Sequence, residues 1–254
     1  MENQETSQNT WKRAYFQQPY KKPFLFYVIF GTSKMDTLSV SRNKHNIDGM
    51  PDELELINYN KTKDKDYIEG LYADYFGTLL KEKSADLYKK VKNCENITIV
   101  KGEFEDNETF DYLKNTIGIM QAIIETGTVA VLDMQILEWN ESQEWTEKYF
   151  EPKAPQTLKQ AVILFSEENG KIWLHTRGMR KFGRPDISIR NVTEKNFDLA
   201  KEITNRFIQA FSNGLIPNEK QEIWIKGMED GVFGKILGDY DNLDFNNYYF
   251  EMEF

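Results

Sequence analysis

The 254-residue sequence predicts an α+β fold, with a mixed or mainly antiparallel sheet and amphipathic helices packed on one face. Three observations lead to this prediction. Short apolar runs rich in β-branched and aromatic residues recur along the chain, as buried strands require. Longer segments repeat apolar residues every three or four positions, which is the pattern of an amphipathic helix. Turn-forming residues separate these segments at short intervals.

The first half of the chain is predicted to hold both strands and helices. The run FLFYVIF is apolar without alternation, so we expect a strand buried on both faces, which Gly31 closes. Helical periodicity over residues 66–80 and 107–126 predicts two helices, and Gly127 is a suitable end for the second. Further strands are predicted at 37–41, 53–59, 96–101 and 128–137, and a short helix at 84–91.

The second half is predicted to hold a three-stranded meander, a long helix and two further strands. The stretch AVILFSEENGKIWLHTRG indicates two strands joined by a turn at 167–170, and PDISIRNV indicates a third. Residues 193–213 carry apolar side chains on one side and predict a helix that Gly214 stops. The last two strands are predicted within 222–228 and 246–254.

The chain is predicted to consist of a leader and one domain. Residues 1–20 are polar and rich in Asn, Gln and Thr, so we expect a mobile leader. Pro152 and Pro155 interrupt the chain after a predicted short helix. The prediction is therefore a single α+β domain over 21–254, in which any subdomain boundary falls near 150–158.

The net charge of −9 narrows the classes of partner. Nucleic acids and anionic membranes are disfavoured because both carry phosphates, whereas a basic protein partner fits. The longest apolar run, seven residues, is far short of the roughly 20 that a membrane helix needs. With no apolar signal sequence and a single cysteine, Cys94, we expect a cytoplasmic protein. Pairing of strand edges into a homo-oligomer stays open.

The most distinctive stretch is KIWLHTRGMRKFGRPDISIRNV, residues 171–192, where basic side chains and turn glycines coincide. One interpretation is a site for an anionic ligand, because guanidinium groups bind carboxylate or phosphate through paired hydrogen bonds. The other is that these side chains pair with the chain's own surplus carboxylates while the glycines shape turns. The candidate ligand-binding residues are His175, Arg177, Arg180, Lys181 and Arg184.

His175, one of two histidines, is the best acid–base candidate by residue type. Strand alternation places Trp173, His175 and Arg177 on one face, and a histidine in that setting is more often structural than catalytic. His45 and Cys94 have no paired spacing with it, as a zinc site would need. No calcium loop or nucleotide-binding glycine pattern is complete. We therefore predict no catalytic residue, no metal and no cofactor.

A second candidate surface is an acidic stripe on the short helix before Pro152. Glutamates recur there every three residues beside two tryptophans, as a surface for a basic partner would present them. The alternative is a solvated helix face whose tryptophans belong to the core. The candidate partner-binding residues are Trp139, Glu141, Glu144, Trp145 and Glu147.

The segment WLHTRGMRKFGRPDISI resembles part of a family of uncharacterised bacterial domains. In that family a strand with Trp, His, Thr and Gly leads to a Lys-Phe-Gly-x-Pro-acid turn. The matching residues are Trp173, His175, Thr176, Gly178, Lys181, Phe182, Gly183, Pro185 and Asp186. The resemblance covers the third quarter of the chain and implies a bacterial domain of the sort sometimes found near toxin and immunity genes. It implies no catalytic residue.

Two functions of different classes are compatible with these observations. The first is a non-enzymatic binding protein, of the immunity type, that holds a basic protein partner. The second is a small-molecule enzyme or a sensor of an anionic ligand that uses His175 and Arg177; it requires these side chains to converge on a pocket with Arg184. A plain structural subunit of an oligomer is a third interpretation.

Overall fold

Two five-stranded sheets form the framework of the protein. The computed structural model describes residues 10–33, 35–224, 231 and 233–253. The first sheet contains β1 (Phe24–Phe30), β2 (Glu55–Asn60), β3 (Asn96–Glu103), β4 (Ala130–Asp133) and β5 (Glu138–Glu141). The second contains β6 (Val162–Glu168), β7 (Lys171–Arg177), β8 (Asp186–Val192), β9 (Lys235–Leu237) and β10 (Tyr249–Glu253).

The pairing of the strands is mainly antiparallel. The first sheet has the order β2-β3-β1-β4-β5 and is antiparallel throughout. The second has the order β6-β7-β8-β10-β9, in which β8 and β10 are parallel and the other pairs are antiparallel. The predicted α+β fold class is therefore confirmed.

Helices pack against both sheets. They are α1 (Arg42–His45), α2 (Lys65–Gly70), α3 (Asp74–Lys83), α4 (Ala85–Lys92), α5 (Asp111–Ile124), α6 (Ser142–Trp145) and α7 (Phe197–Ser212). Helices α2 to α4 pack on one face, against Val28 and Phe30 of β1. Helices α5 and α7 belong to a larger apolar cluster that joins Leu25 of β1 to Leu174 of β7. In the described residues, no helix is both long and apolar enough to cross a membrane.

Two predicted helices differ in detail from the observed ones. The segment 66–80 forms two helices because the chain turns after α2 and restarts at Asp74, whose φ is 43°. In α5, every residue after Asp111 is buried, so this helix is enclosed rather than amphipathic. Its position in the large cluster that includes residues of both sheets accounts for that enclosure.

Two predicted strands also need correction. The run 128–137 is not one strand, because the carboxylate of Asp133 accepts hydrogen bonds from the backbone N–H groups of Gln135 and Ile136 and turns the chain. Residues 35–37 form a short 3₁₀ helix, and no strand follows at 38–41. Most of the strand predicted within 222–228 lies outside the described residues.

Residues 10–20, predicted as part of a mobile leader, contact the rest of the protein. The Trp11 ring is buried in the large apolar cluster, and its Nε1 donates to the carbonyl of Lys153 at 3.1 Å. Residues 1–9 lie outside the described part. The chain passes from the first sheet to the second between residues 142 and 161, a range that includes the predicted boundary at 150–158.

Candidate functional site

Segment 171–192 lies where the two sheets meet. It forms β7, a short 3₁₀ helix over Met179–Phe182, and β8. Gly178 and Gly183 flank the 3₁₀ helix with φ values of 110° and 64°, a region that glycine enters without strain. At Gly183 a Cβ would collide with the backbone carbonyl of Lys21. These glycines therefore set a backbone path that no other residue would follow easily.

The Lys181 side chain reaches from this segment into the first sheet. Its ammonium pairs with the Asp133 carboxylate, and both side chains are inaccessible to solvent. It also donates to the backbone and side-chain oxygens of Gln160, at 3.0 and 3.1 Å. Burial raises the pKa of Asp133 and lowers the pKa of Lys181, while their attraction opposes both shifts. Since Asp133 also shapes the turn after β4, Lys181 holds that turn in place.

The Arg184 guanidinium belongs to a second buried group of charges. It donates to the Asp106 carboxylate at 2.8 Å, and the same carboxylate pairs with Arg13. Arg184 also donates to the backbone carbonyl of Gly214 at 3.1 Å. Both guanidinium groups and the carboxylate are inaccessible to solvent. One carboxylate thus connects the N-terminal residues, the loop after β3 and segment 171–192.

The Asp186 carboxylate and Arg177 tie down the loop that precedes β10. Asp186 accepts hydrogen bonds from Thr176 Oγ1 at 2.8 Å and from Asn247 Nδ2 at 2.9 Å. Burial raises the pKa of Asp186 to about 7, against the opposing effect of these donors. Arg177 Nη1 donates to the carbonyl of Asp244 at 3.0 Å. Two buried side chains of segment 171–192 therefore position residues 239–247.

The imidazole of His175 is enclosed by aromatic rings. It stacks on Trp173 with ring centroids 4.1 Å apart and meets the edge of Phe245 at 5.4 Å. Only 8% of the residue is exposed, and Nδ1 has no hydrogen-bond partner among the described residues. Burial lowers the pKa of His175 to about 4, so the ring is neutral near pH 7. In this setting His175 acts as a packing residue.

A cavity of about 230 Å³ lies beside the segment, between the two sheets. Its walls come from β1, from the turn after β4, from the start of the 3₁₀ helix and from the loop before β10. The lining residues are Phe24, Phe26, Met134, Gln135, Gly178, Arg180, Tyr240, Phe245 and Asn246. Of the five predicted ligand-binding residues, the structure places Arg180 in this lining and the other four outside it. Lys181 and Arg177 instead hold the two loops that form the walls.

Arg180 has no carboxylate partner among the described residues. Its guanidinium lies 4.5 Å from the centre of the Phe24 ring and 4.2 Å from that of Tyr240. Its one hydrogen bond there, from Nη1 to the carbonyl of Asn246, is long at 3.4 Å. Its neighbours Lys181 and Arg184 both pair with aspartates. Arg180 is therefore the cation of the cavity lining that is available to a ligand.

Gln135 is the second unusual residue of the lining. Both its amide oxygen and its amide nitrogen are shut off from solvent and have no hydrogen-bond partner within the described structure. No role was predicted for this residue. A single amide inside the apolar run TVAVLDMQIL was the signal that could have found it. The aromatic residues of the lining come from distant parts of the chain, and no spacing pattern connects them.

The acidic stripe is exposed, but its tryptophans are not. Trp139 and Trp145 are buried in the two apolar clusters, so they cannot anchor a partner at the surface. Glu144 pairs with Lys83 at 2.6 Å. Glu141 and Glu147 are exposed and form no ion pair with any described residue. The stripe is therefore a charged surface without aromatic anchors.

The remaining candidate ligands for metals are engaged elsewhere. His45 approaches Glu125 at 3.3 Å, and its Nδ1 accepts from the backbone of Ser41 at 2.9 Å. Cys94 is buried, which raises the pKa of its thiol to about 11. Within the described ranges, no three His, Cys, Asp or Glu side chains are grouped to hold a metal ion.

Comparison with known proteins gave no match, whether with family models, with curated proteins or with solved structures. The geometry and charge of this chain are therefore the basis for its proposed function.

Proposed function

We propose that this chain is a non-enzymatic binding protein that holds a basic protein partner on its acidic surface. The observation that supports the proposal is how charge is divided between the interior and the surface. The segment richest in basic residues, for which a ligand site was one of two interpretations, directs three of its six cations inward. The resemblance of that segment to domains sometimes found near toxin and immunity genes makes an immunity-type role the specific form of the proposal.

The interior contains more positive than negative charge. Among the described residues, five basic side chains and three acidic ones are buried. They are Arg13, Lys114, Arg177, Lys181 and Arg184, and Asp106, Asp133 and Asp186. Removing this net +2 from the formal charge of −9 leaves −11 on the rest of the chain. The part of the chain outside this buried set is thus more acidic than the net charge of the whole sequence suggests.

A surface of this charge attracts basic proteins at long range. Such attraction raises the association rate and repels acidic competitors, and it weakens as salt screens it. The exposed stripe at Glu141 and Glu147 lacks aromatic anchors, so a complex formed there would depend chiefly on charge. We therefore expect its affinity to fall steeply as ionic strength rises.

The proposal can be tested by capture on the immobilised chain. A tagged protein is incubated with lysate of the source cells, and bound proteins are identified at about 50 mM and about 500 mM salt, where the screening lengths differ about threefold. The charge-reversal pair Glu141→Lys with Glu147→Lys tests the stripe. The pair Glu167→Lys with Glu194→Lys is the matched control, since both residues are exposed and lie on other elements.

The expected result is a basic protein that the wild type and the control retain at low salt and that the stripe variant loses. Its purified form should then bind the wild-type chain in solution with the same salt dependence. Capture of acidic proteins alone, or of a basic protein that the stripe variant holds equally well, would contradict the use of this surface. Absence of any partner at low salt would count against the function itself.

The alternative of a ligand sensor built on His175 and Arg177 is less well supported. Arg177 and Arg184 contact different groups, the Asp244 carbonyl and the Asp106 carboxylate, and do not converge. The His175 ring is neutral and stacked. A ligand-binding role of this segment belongs to Arg180 and the cavity that it lines.

A further inference from the structure

We propose that the cavity between the two sheets binds a small aromatic carboxylate, a flat ring that carries one carboxylate group. This inference is independent of the proposed partner surface, because it concerns other residues. It depends on three observations: the aromatic walls of the cavity, the unpaired Arg180 guanidinium and the unsatisfied Gln135 amide.

The size and lining of the cavity fit a single ring. An apolar cavity of about 150 Å³ is large enough to hold benzene. At about 230 Å³, this cavity has room for a ring and one substituent. Phe24, Phe26, Tyr240 and Phe245 supply aromatic walls, against which rings pack in offset or edge-on arrangements.

Arg180 supplies the charge that selects an anion. A guanidinium presents paired N–H donors that match the two oxygens of a carboxylate. The rings of Phe24 and Tyr240 lie close to the guanidinium, which stays partly exposed to solvent. A carboxylate fits better than a phosphate, because the net charge of −9 repels a dianion more strongly than a monoanion.

Gln135 supplies a donor and an acceptor once its side chain turns towards the ligand. In the free protein both amide atoms are closed to solvent, so a ligand in the cavity reaches them after this rotation. A buried amide without partners is unfavourable, and a ligand that offers a complementary group relieves that cost. A ring nitrogen or an amide edge on the ligand would accept or donate such a bond. We therefore expect a nitrogen-containing ring to bind more tightly than a plain hydrocarbon ring of the same shape.

The walls of the cavity are held in place before any ligand binds. The turn that contains Met134 and Gln135 is fixed by Asp133, which Lys181 holds. The loop that contains Phe245 and Asn246 is tied through Arg177 and through Asn247, which contacts Asp186. A site whose backbone is already in place loses less entropy on binding. The buried charges of segment 171–192 are thus positioning residues for this cavity.

Three probes of nearly equal shape separate the contribution of the carboxylate to binding from that of the ring nitrogen. Benzoate has the ring and the carboxylate, nicotinate adds a ring nitrogen, and nicotinamide replaces the carboxylate of nicotinate with a neutral amide. Binding is measured by isothermal titration calorimetry on the full-length protein. Chemical-shift changes or transferred nuclear Overhauser effects to the Tyr240 and Phe245 rings show whether the probe occupies this cavity.

Two variants test Arg180 and Gln135, and a third controls for the loss of one positive charge. Arg180→Gln removes the cation, Gln135→Met removes the amide at similar volume, and Lys171→Gln makes the same charge change on an exposed residue of the same segment. Circular dichroism and thermal melting check that each variant folds. If Arg180→Gln does not fold, Arg180→Lys keeps the charge and removes the paired donors.

We expect nicotinate to bind the wild type more tightly than benzoate or nicotinamide does. Arg180→Gln should weaken nicotinate binding about tenfold or more, as loss of a charged hydrogen bond does, while Lys171→Gln leaves it unchanged. Gln135→Met should abolish the preference for nicotinate over benzoate. The proposal is overturned if the wild type binds none of the three probes, if the ring protons of Tyr240 and Phe245 do not respond, or if the two variants at Arg180 and Lys171 behave alike.

Discussion

The Lys181 ammonium lies against the Asp133 carboxylate with both side chains closed to solvent, and this contact joins the second half of the chain to the first sheet. A buried pair of this kind is not in itself a large source of stability, because removing two charges from water costs much of what their attraction returns. Its role is positional: it fixes the turn after β4 relative to the 3₁₀ helix after β7. Breaking one side of the pair leaves the other charge buried without a partner.

Lys181→Met should therefore destabilise the protein by about 3–5 kcal/mol. The double variant Lys181→Met with Asp133→Leu should recover part of this loss, because no unpaired charge remains. Lys148→Met is a suitable control, since Lys148 pairs with Glu138 at 2.5 Å but is partly exposed, and such pairs contribute at most about 1 kcal/mol. Urea denaturation gives the three free energies of unfolding. Equal losses in Lys181→Met and Lys148→Met would contradict the role assigned to the buried pair.

Gly183→Ala should be strongly destabilising for two separate reasons. Its φ of 64° is unfavourable for alanine by about 1–2 kcal/mol, and the added Cβ would collide with the Lys21 carbonyl. Gly170→Ala is the matched control: its φ is 74°, but nothing lies within 4 Å of the added atom. We expect thermal melting to show a small loss of stability for Gly170→Ala and a clearly larger one for Gly183→Ala. If the two losses are equal, the close approach of the chain at Lys21 has no energetic consequence.

The fold class could be predicted from the sequence because apolar periodicity reports local burial directly. The β1 run lacks alternation, and the strand is indeed covered on both faces. Periodicity carries no information about long-range pairing, so it did not reveal that two sheets form or that β10 lies parallel to β8. The break after α2 was also missed, because the apolar spacing continues through the turn.

The sequence identified the segment of the candidate site but not which of its residues line the cavity. Segment 171–192 is the structural junction, but the charge run alone could not show which cations turn inward. The cations that turn inward at Lys181 and Arg184 do so because they pair with Asp133 and Asp106, which lie in the first half of the chain. Arg180 differs from its neighbours because no carboxylate reaches it within the described residues. Such an absence follows from the tertiary structure and not from local sequence.

His175 should make the protein less stable in acid. Burial lowers its pKa from 6.5 to about 4, so below pH 6.5 the unfolded chain binds a proton that the folded chain does not. This contribution to stability is complete above pH 6.5 and is lost as pH falls towards 4, by about 2 kcal/mol after allowance for partial screening. His175→Phe, which keeps a flat ring against Trp173, should remove the loss. The free energy of unfolding measured between pH 7.5 and pH 4 in both proteins checks this, and parallel curves would refute it.

Asp186 should make the stability of the protein depend on pH in the direction opposite to His175. Burial raises its pKa from 3.8 to about 7, so between these values the folded chain binds the proton more tightly than the unfolded chain does. Its contribution to stability is therefore present at low pH and is lost as pH rises from about 4 towards about 7.

In the wild type the pH dependence that Asp186 gives to stability offsets the pH dependence that His175 gives. Each single variant should therefore show the effect of the residue that remains. Asp186→Asn removes the titrating group, so its stability should fall more steeply on acidification than that of the wild type. Chemical denaturation of wild type, His175→Phe and Asp186→Asn at matched pH values would show three distinct slopes. An Asp186→Asn curve with the wild-type slope would mean that Asp186 is ionised in the folded protein across this range. The hydrogen bonds from Thr176, Asn247 and the backbone N–H of Met179 would then outweigh its burial.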